Sequence, residues 1–116
     1  MSNTEKNNQI DYIEFGTSSI EEVKEFYSQT FNWRFTDYGP EYTSFEDGRI
    51  GGGFASDASP GNGPLVVLYA DDLEAKYEQI KTNGGQIVKE IFSFPGGRRF
   101  HFKDPGGNEL AVWSDK

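Results

Sequence analysis

The sequence contains no cysteine and only one histidine. Disulfides, thiolate nucleophiles and cysteine-ligated zinc are therefore excluded. No apolar run reaches the length of a membrane span. The opening Met-Ser-Asn-Thr-Glu-Lys-Asn-Asn-Gln lacks the apolar segment of a secretory signal, so a cytoplasmic location is expected and residues 1–8 are read as a frayed, flexible tail. Basic residues are also scarce: 11 Lys and Arg stand against 19 Asp and Glu, for a formal net charge of −8. Nucleic acids and anionic membrane surfaces select basic proteins, and neither is expected as a partner. A cationic small molecule suits such a field, although net negative charge also serves solubility alone.

What the chain has instead is aromatic mass. Aromatic residues make up 16% of its 116 residues, within a hydrophobic total of 34%. Phe, Tyr and Trp suit the wall of a cavity as well as an ordinary core. The length suits one domain with a modest core.

Ile10 to Phe15 alternates and reads as a strand. Ser18 and Glu21 have the spacing of a capping box, and Ile20, Val23, Phe26 or Tyr27, and Phe31 follow at helical period. Trp33 to Thr36, Tyr42 to Glu46 and Arg49 to Phe54 read as short strands, the last two joined at Asp47-Gly48. Residues 56–63 form a linker-like loop. The pattern then restarts, with a strand at Pro64 to Ala70 and a helix capped by Asp71 or Asp72 that carries Leu73, Tyr77 and Ile80. Asn83-Gly84-Gly85 ends that helix, and strands follow at Gln86 to Ile91, Arg98 to Phe102 and Glu109 to Trp113. The order is βαβββ twice, a repeat of about 50 residues. The expected organisation is a single α+β domain over 9–116, with module one at about 9–55 and module two at about 64–114.

Several motifs carry a family resemblance. Ile10 to Phe15, then Glu25-Phe26-Tyr27 and Phe31-Asn32-Trp33, resemble the opening of small bacterial members of the vicinal-oxygen-chelate superfamily of glyoxalases, bleomycin-resistance proteins and extradiol dioxygenases. Phe102-Lys103-Asp104-Pro105-Gly106-Gly107-Asn108 resembles the family's turn before its last strand, and Val67 to Leu73 its entry to the second helix. The resemblance spans nearly the whole chain. It implies two βαβββ modules forming one cup-shaped mixed sheet, a small-molecule ligand inside the cup, and a homodimer. Open sheet edges, a liability in solution, point to the same association.

The resemblance also places the family's metal ligands. They match Tyr12, Leu65, Ala111 and, through the equivalence of Gly48 with Gly107, Gly52. Leucine, alanine and glycine cannot ligate, and neutral tyrosine is a poor ligand for divalent ions. No metal and no other cofactor is expected. Strand alternation then supplies the rest of the cup. Glu14 shares a face with Tyr12, Tyr69 with Leu65, and Glu109 and Trp113 with Ala111. His101 and Arg99 join them in the implied arrangement. Glu14 and His101 are the candidate acid–base pair; a satisfied structural pairing is the plainer alternative. Tyr12, Gly52, Leu65, Tyr69, Arg99, Glu109, Ala111 and Trp113 are the candidate ligand contacts. The expected activity is metal-independent binding of a small organic molecule. The alternatives are a lyase or isomerase acting on a small carbonyl compound, or a metal enzyme with rearranged ligands. Gly51-Gly52-Gly53 is no phosphate cradle, since neither the Lys-Ser nor the helix of one follows; it suggests a bulge or a close backbone approach.

Overall fold

The computed structural model describes residues 3–58 and 63–116, with side chains from residue 5 onward. Positions 59–62 of the expected loop lie outside the described residues. The chain forms two compact units, residues 12–65 and residues 66–116 together with 1–11.

In the first unit the elements are β1 (Ile10–Gly16), α1 (Ile20–Phe31), β2 (Arg34–Asp37), β3 (Tyr42–Glu46) and β4 (Gly51–Ala55). The strands lie in the order β2-β3-β4-β1, with β1 and β4 parallel. The cap of α1 is Ser19, one residue later than expected: Ser19 has the extended backbone, and its hydroxyl accepts from the Glu22 amide. Asn32 ends the helix in the left-handed conformation. Tyr27, rather than Phe26, turns inward and stacks on Trp33 at 4.4 Å. Trp33 in turn stacks on Phe45, which packs with Ile20 and Phe54. Phe26 and Phe31 are left exposed.

The second unit repeats the plan with β5 (Leu65–Tyr69), α2 (Leu73–Thr82), β6 (Gln86–Phe94), β7 (Gly97–Lys103) and β8 (Glu109–Ser114). Its order is β6-β7-β8-β5, with β5 and β8 parallel. Asp72 caps α2 by accepting from the Ala75 amide. Leu73, Tyr77 and Ile80, all expected on its apolar face, pack with Phe100, Phe102 and Val112. Of the expected tail, Met1 and Ser2 lie outside the described residues. A 3₁₀ turn spans Asn3–Lys6, the Asn8 amide donates to the Tyr69 carbonyl at 2.9 Å, and the Asp71 amide donates to the Asn7 side chain at 2.9 Å. Backbone groups tied down in this way do not fray.

Candidate functional site

In each unit the helix covers one face of the strands, and the polar and aromatic side chains gather on the other. In the second unit Phe100 and Val112 point to α2, so strand alternation sends Arg99, His101, Ala111 and Trp113 to the opposite face. Val67 and Tyr69 join them through the pairs Val67↔Ala111 and Tyr69↔Trp113. The aromatic rings form a connected wall. Tyr69 meets Trp113 edge-on at 5.2 Å, Phe94 lies 6.3 Å from Trp113, and Phe92 lies 6.0 Å from the His101 ring. The Arg99 guanidinium sits over Phe92 and Phe94, at 5.5 and 6.0 Å. Asp11 accepts from the Trp113 indole N–H at 2.9 Å and pairs with Lys6 at 3.1 Å, which fixes the indole.

His101 is 8% exposed, and its Nδ1 lies 3.1 Å from Glu109 Oε2. A carboxylate partner selects the tautomer in which Nδ1–H donates, which leaves Nε2 as an acceptor. Nε2 is buried, and no hydrogen-bond partner reaches it among the described residues. Burial holds the imidazole below its ordinary range; the Glu109 bond opposes this, while the charges of Arg99 and Lys89 reinforce it. The folded protein therefore binds this proton more weakly than the unfolded chain does, whose histidine titrates near 6.5. The resulting stability is present in full above that pH and declines as pH falls through and below it. In urea titrations from about pH 7.5 to about pH 5.5, stability is expected to fall more steeply in the wild type than in His101→Gln. Equal slopes would show that His101 titrates alike in both states.

In the first unit, the face opposite α1 carries Tyr12, Glu14 and Tyr42. The Tyr42 hydroxyl donates to Glu14 Oε2 at 2.9 Å and lies 2.5 Å from the Tyr12 hydroxyl. Burial, followed by the Glu14 charge, pushes the Tyr42 phenol well above its ordinary range. The expected placement of Gly52 beside Tyr12 is corrected by one residue. A Cβ at Gly52 would lie 2.3 Å from the Phe45 ring, on the side packed against α1. Tyr12 pairs with Gly51 and Glu14 with Gly53. The slip arises in the turn: β4 begins at Gly51, three residues after Gly48, whereas β8 begins at Glu109, two after Gly107. The Asp47 side chain accepts from the Arg49 and Ile50 amides and so absorbs the extra residue. Within its module Gly53, paired to Glu14, is thus the counterpart of Ala111, paired to Val67.

The four positions matched to metal ligands do not fit a divalent ion. Ala111 is fully buried and apolar, Leu65 has no donor, and glycine stands at both 52 and 53. Tyr12 offers one phenol, already bonded to a second. Among the described residues no group of three or more His, Asp or Glu is placed to hold a metal.

Of the sequence-derived candidates, Tyr69, Arg99, His101, Glu109, Ala111 and Trp113 stand on two adjacent strands and β5 in one unit. Tyr12 and Glu14 stand together in the other. The bonded partner of His101 is Glu109, and that of Glu14 is Tyr42. Tyr42 escaped the sequence reading because it reaches Glu14 across two ladders, β3 to β4 and β4 to β1, and no local spacing signals this. Asp11 was equally hidden, as its partner Trp113 lies 102 residues away.

Two βαβββ modules, each with a helix-covered face and a polar, aromatic one, define an α+β protein of the vicinal-oxygen-chelate class. The profile of the Glyoxalase/Bleomycin resistance protein/Dioxygenase superfamily matches residues 9–112, and the chain belongs to that superfamily. A glyoxylase-like domain-containing protein of Didymella fabae is 29% identical over 119 residues, covering 90% of this chain and 91% of its own. Among solved structures, a hypothetical protein from Bacillus halodurans C-125 superposes with a TM-score of 0.76 at 18% identity, covering 93% of this chain and 94% of its own. Methylmalonyl-CoA epimerase from Mycobacterium tuberculosis gives 0.70 at 14%, covering 98% and 92%. The Mn(II)-bound glyoxalase from Novosphingobium aromaticivorans gives 0.69 at 18%, covering 95% of this chain and 40% of its own. At these identities the structural likenesses speak for the fold alone.

Proposed function

We propose that the protein binds a small, flat organic molecule on its helix-free strand faces without a metal ion, acting in the cytoplasm as a homodimer. The observation that carries this reading is the buried Nε2 of His101, an acceptor without a partner among the described residues, beside Phe92 on the strand face that also carries Trp113. Leaving a buried polar atom unpaired costs about 1–3 kcal/mol. A ligand N–H or O–H would recover that cost, and the surrounding rings would take its flat body. The net charge of −8 favours a neutral or cationic molecule over an anionic one.

The test is a thermal-shift screen, with chelator present, of small aromatic alcohols, phenols and amines. At least one class is expected to raise the melting temperature in a concentration-dependent way, by mass action on the folded state. His101→Phe is expected to weaken the donor-bearing compounds selectively. No rise for any compound would contradict the reading.

A second reading is favoured by the Glu109–His101 bond, since a carboxylate on Nδ1 is how a general base is oriented. The protein would then be a lyase or isomerase acting on a small carbonyl compound, with His101 as the base. Turnover lost in His101→Gln, with binding retained, would favour this reading over simple sequestration.

A further inference from the structure

Ile20, Val23 and Tyr27 turn one side of α1 toward Phe45 and Phe54. The other side faces solvent and is patterned. Glu21, Lys24, Glu25 and Ser28 follow the i, i+3, i+4, i+7 spacing that gathers residues into one stripe. With Glu22 they line a shallow recess of about 320 Å³ along the helix. An aromatic patch adjoins it. Phe26 stands four residues after Glu22 and Phe31 three after Ser28, the spacings of surface neighbours. These two rings are 53% and 57% exposed, and their centroids lie 6.3 Å apart. Both rest on Tyr27, at 4.9 and 5.9 Å, so they form one patch rather than two scattered side chains.

The charge beside the patch has one sign. Lys24 is the only basic residue of α1, and it is engaged by Asp37 at 2.9 Å and Glu21 at 3.5 Å. The last turn has no basic residue to offset the negative end of the helix dipole. Glu22 and Glu25 are exposed carboxylates within the recess.

We infer that this face of α1 docks a basic amphipathic helix of another protein. Its apolar side chains meet Phe26 and Phe31, and its lysines or arginines enter the recess beside Glu22 and Glu25. Charge complementarity selects that occupant. A second copy of this chain would set Glu21, Glu22 and Glu25 against carboxylates of a molecule that itself carries −8. An anionic membrane would meet the same repulsion. The 12 residues of α1 span about 18 Å, enough for some three turns of a partner helix. The inference is independent of the small-molecule reading, which concerns the helix-free strand faces.

The probe is a dansylated peptide of about 14 residues, built only of leucine and lysine with its leucines on one helical face. A scrambled peptide of the same composition, its leucines spread around the helix, is the control. Fluorescence anisotropy follows the binding of each at about 50 and about 300 mM salt. The wild type is expected to bind the amphipathic peptide about tenfold or more tightly than the scrambled one. The double variant Phe26→Ser/Phe31→Ser is expected to lose most of that difference. Glu22→Gln/Glu25→Gln is expected to bind severalfold more weakly and with a smaller salt dependence. All four side chains are exposed, so circular dichroism is expected to stay as in the wild type. If the phenylalanine variant fails to fold, the glutamate variant decides, and an unchanged salt dependence there overturns the inference. Equal binding of the two peptides by the wild type would overturn it by showing attraction of charge alone. So would binding of neither peptide, or a preference that persists in both variants. Self-association of the wild type, seen by light scattering and abolished by Phe26→Ser/Phe31→Ser, would overturn it in favour of a second copy.

Discussion

Gly52→Ala is expected to destabilise the protein by about 3 kcal/mol or more, although the same change in an unhindered strand stabilises by up to about 1 kcal/mol. The added Cβ would lie 2.2 Å from the Ile13 carbonyl oxygen and 2.3 Å from the Phe45 ring. The carbonyl belongs to the β1 ladder, and Phe45 is held between Trp33 and Phe54, so neither can yield cheaply. The clash therefore outweighs the entropic gain. Urea unfolding of the variant checks this, with a lower midpoint and an unchanged slope as the expected signature. Gly53→Ala makes the informative comparison. Its Cβ meets the tips of two tyrosines rather than backbone, so a smaller loss of stability is expected, together with loss of the Tyr42–Glu14 bond.

Phe100→Ala is expected to cost about 3–5 kcal/mol, the range for deleting a fully buried aromatic side chain. Phe100 has 0% exposure and takes the Tyr77 ring edge-on at 5.3 Å, so it joins β7 to α2. A domain of this size has a total stability of only about 5–15 kcal/mol. The variant should therefore melt far below the wild type, and at the small end of that range it would be unfolded at room temperature. A shift of only a degree or two would mean that this core collapses around the void. The consequence for the site is direct: His101 follows Phe100 on the same strand, and its orientation depends on Phe100 staying on the helix side.

Local patterns carried most of the fold. Tyr42 to Glu46 matches its strand at both ends, and Leu73, Tyr77 and Ile80 all face the core because helical period and burial agree there. Alternation put Glu109 and Trp113 on the face of Ala111, and the β7–β8 ladder, uninterrupted by a bulge, sets Arg99 opposite Trp113 and His101 opposite Ala111. The α1 cap and the facing of Gly52 slipped by one residue, where a cap or turn had two acceptable registers, while β6 runs on to Phe94 beyond the expected end at Ile91. Ser18 and Ser19 both stand three residues before a glutamate, and only the backbone distinguishes them. Gly52 and Gly53 are identical in sequence terms, and only the one-residue difference between the Asp47 and Asp104 turns decides which faces Glu14. What could not be read at all was non-local. The Tyr42 hydroxyl, the Asp11 cap on the Trp113 indole and the docking of Asn7 and Asn8 on Tyr69 and Asp71 each join segments with no shared pattern.

The binding proposed above needs no metal ion. The most direct test is to load purified protein separately with Fe(II), Mn, Ni and Zn, desalt it, and count bound metal per chain by elemental analysis. The side chains at positions 12, 52, 53, 65 and 111 lead to the expectation of well under one ion per chain for all four metals. About one tightly held ion per chain, reduced by His101→Gln or Glu109→Gln, would contradict the account and make those two residues the start of a rearranged metal centre.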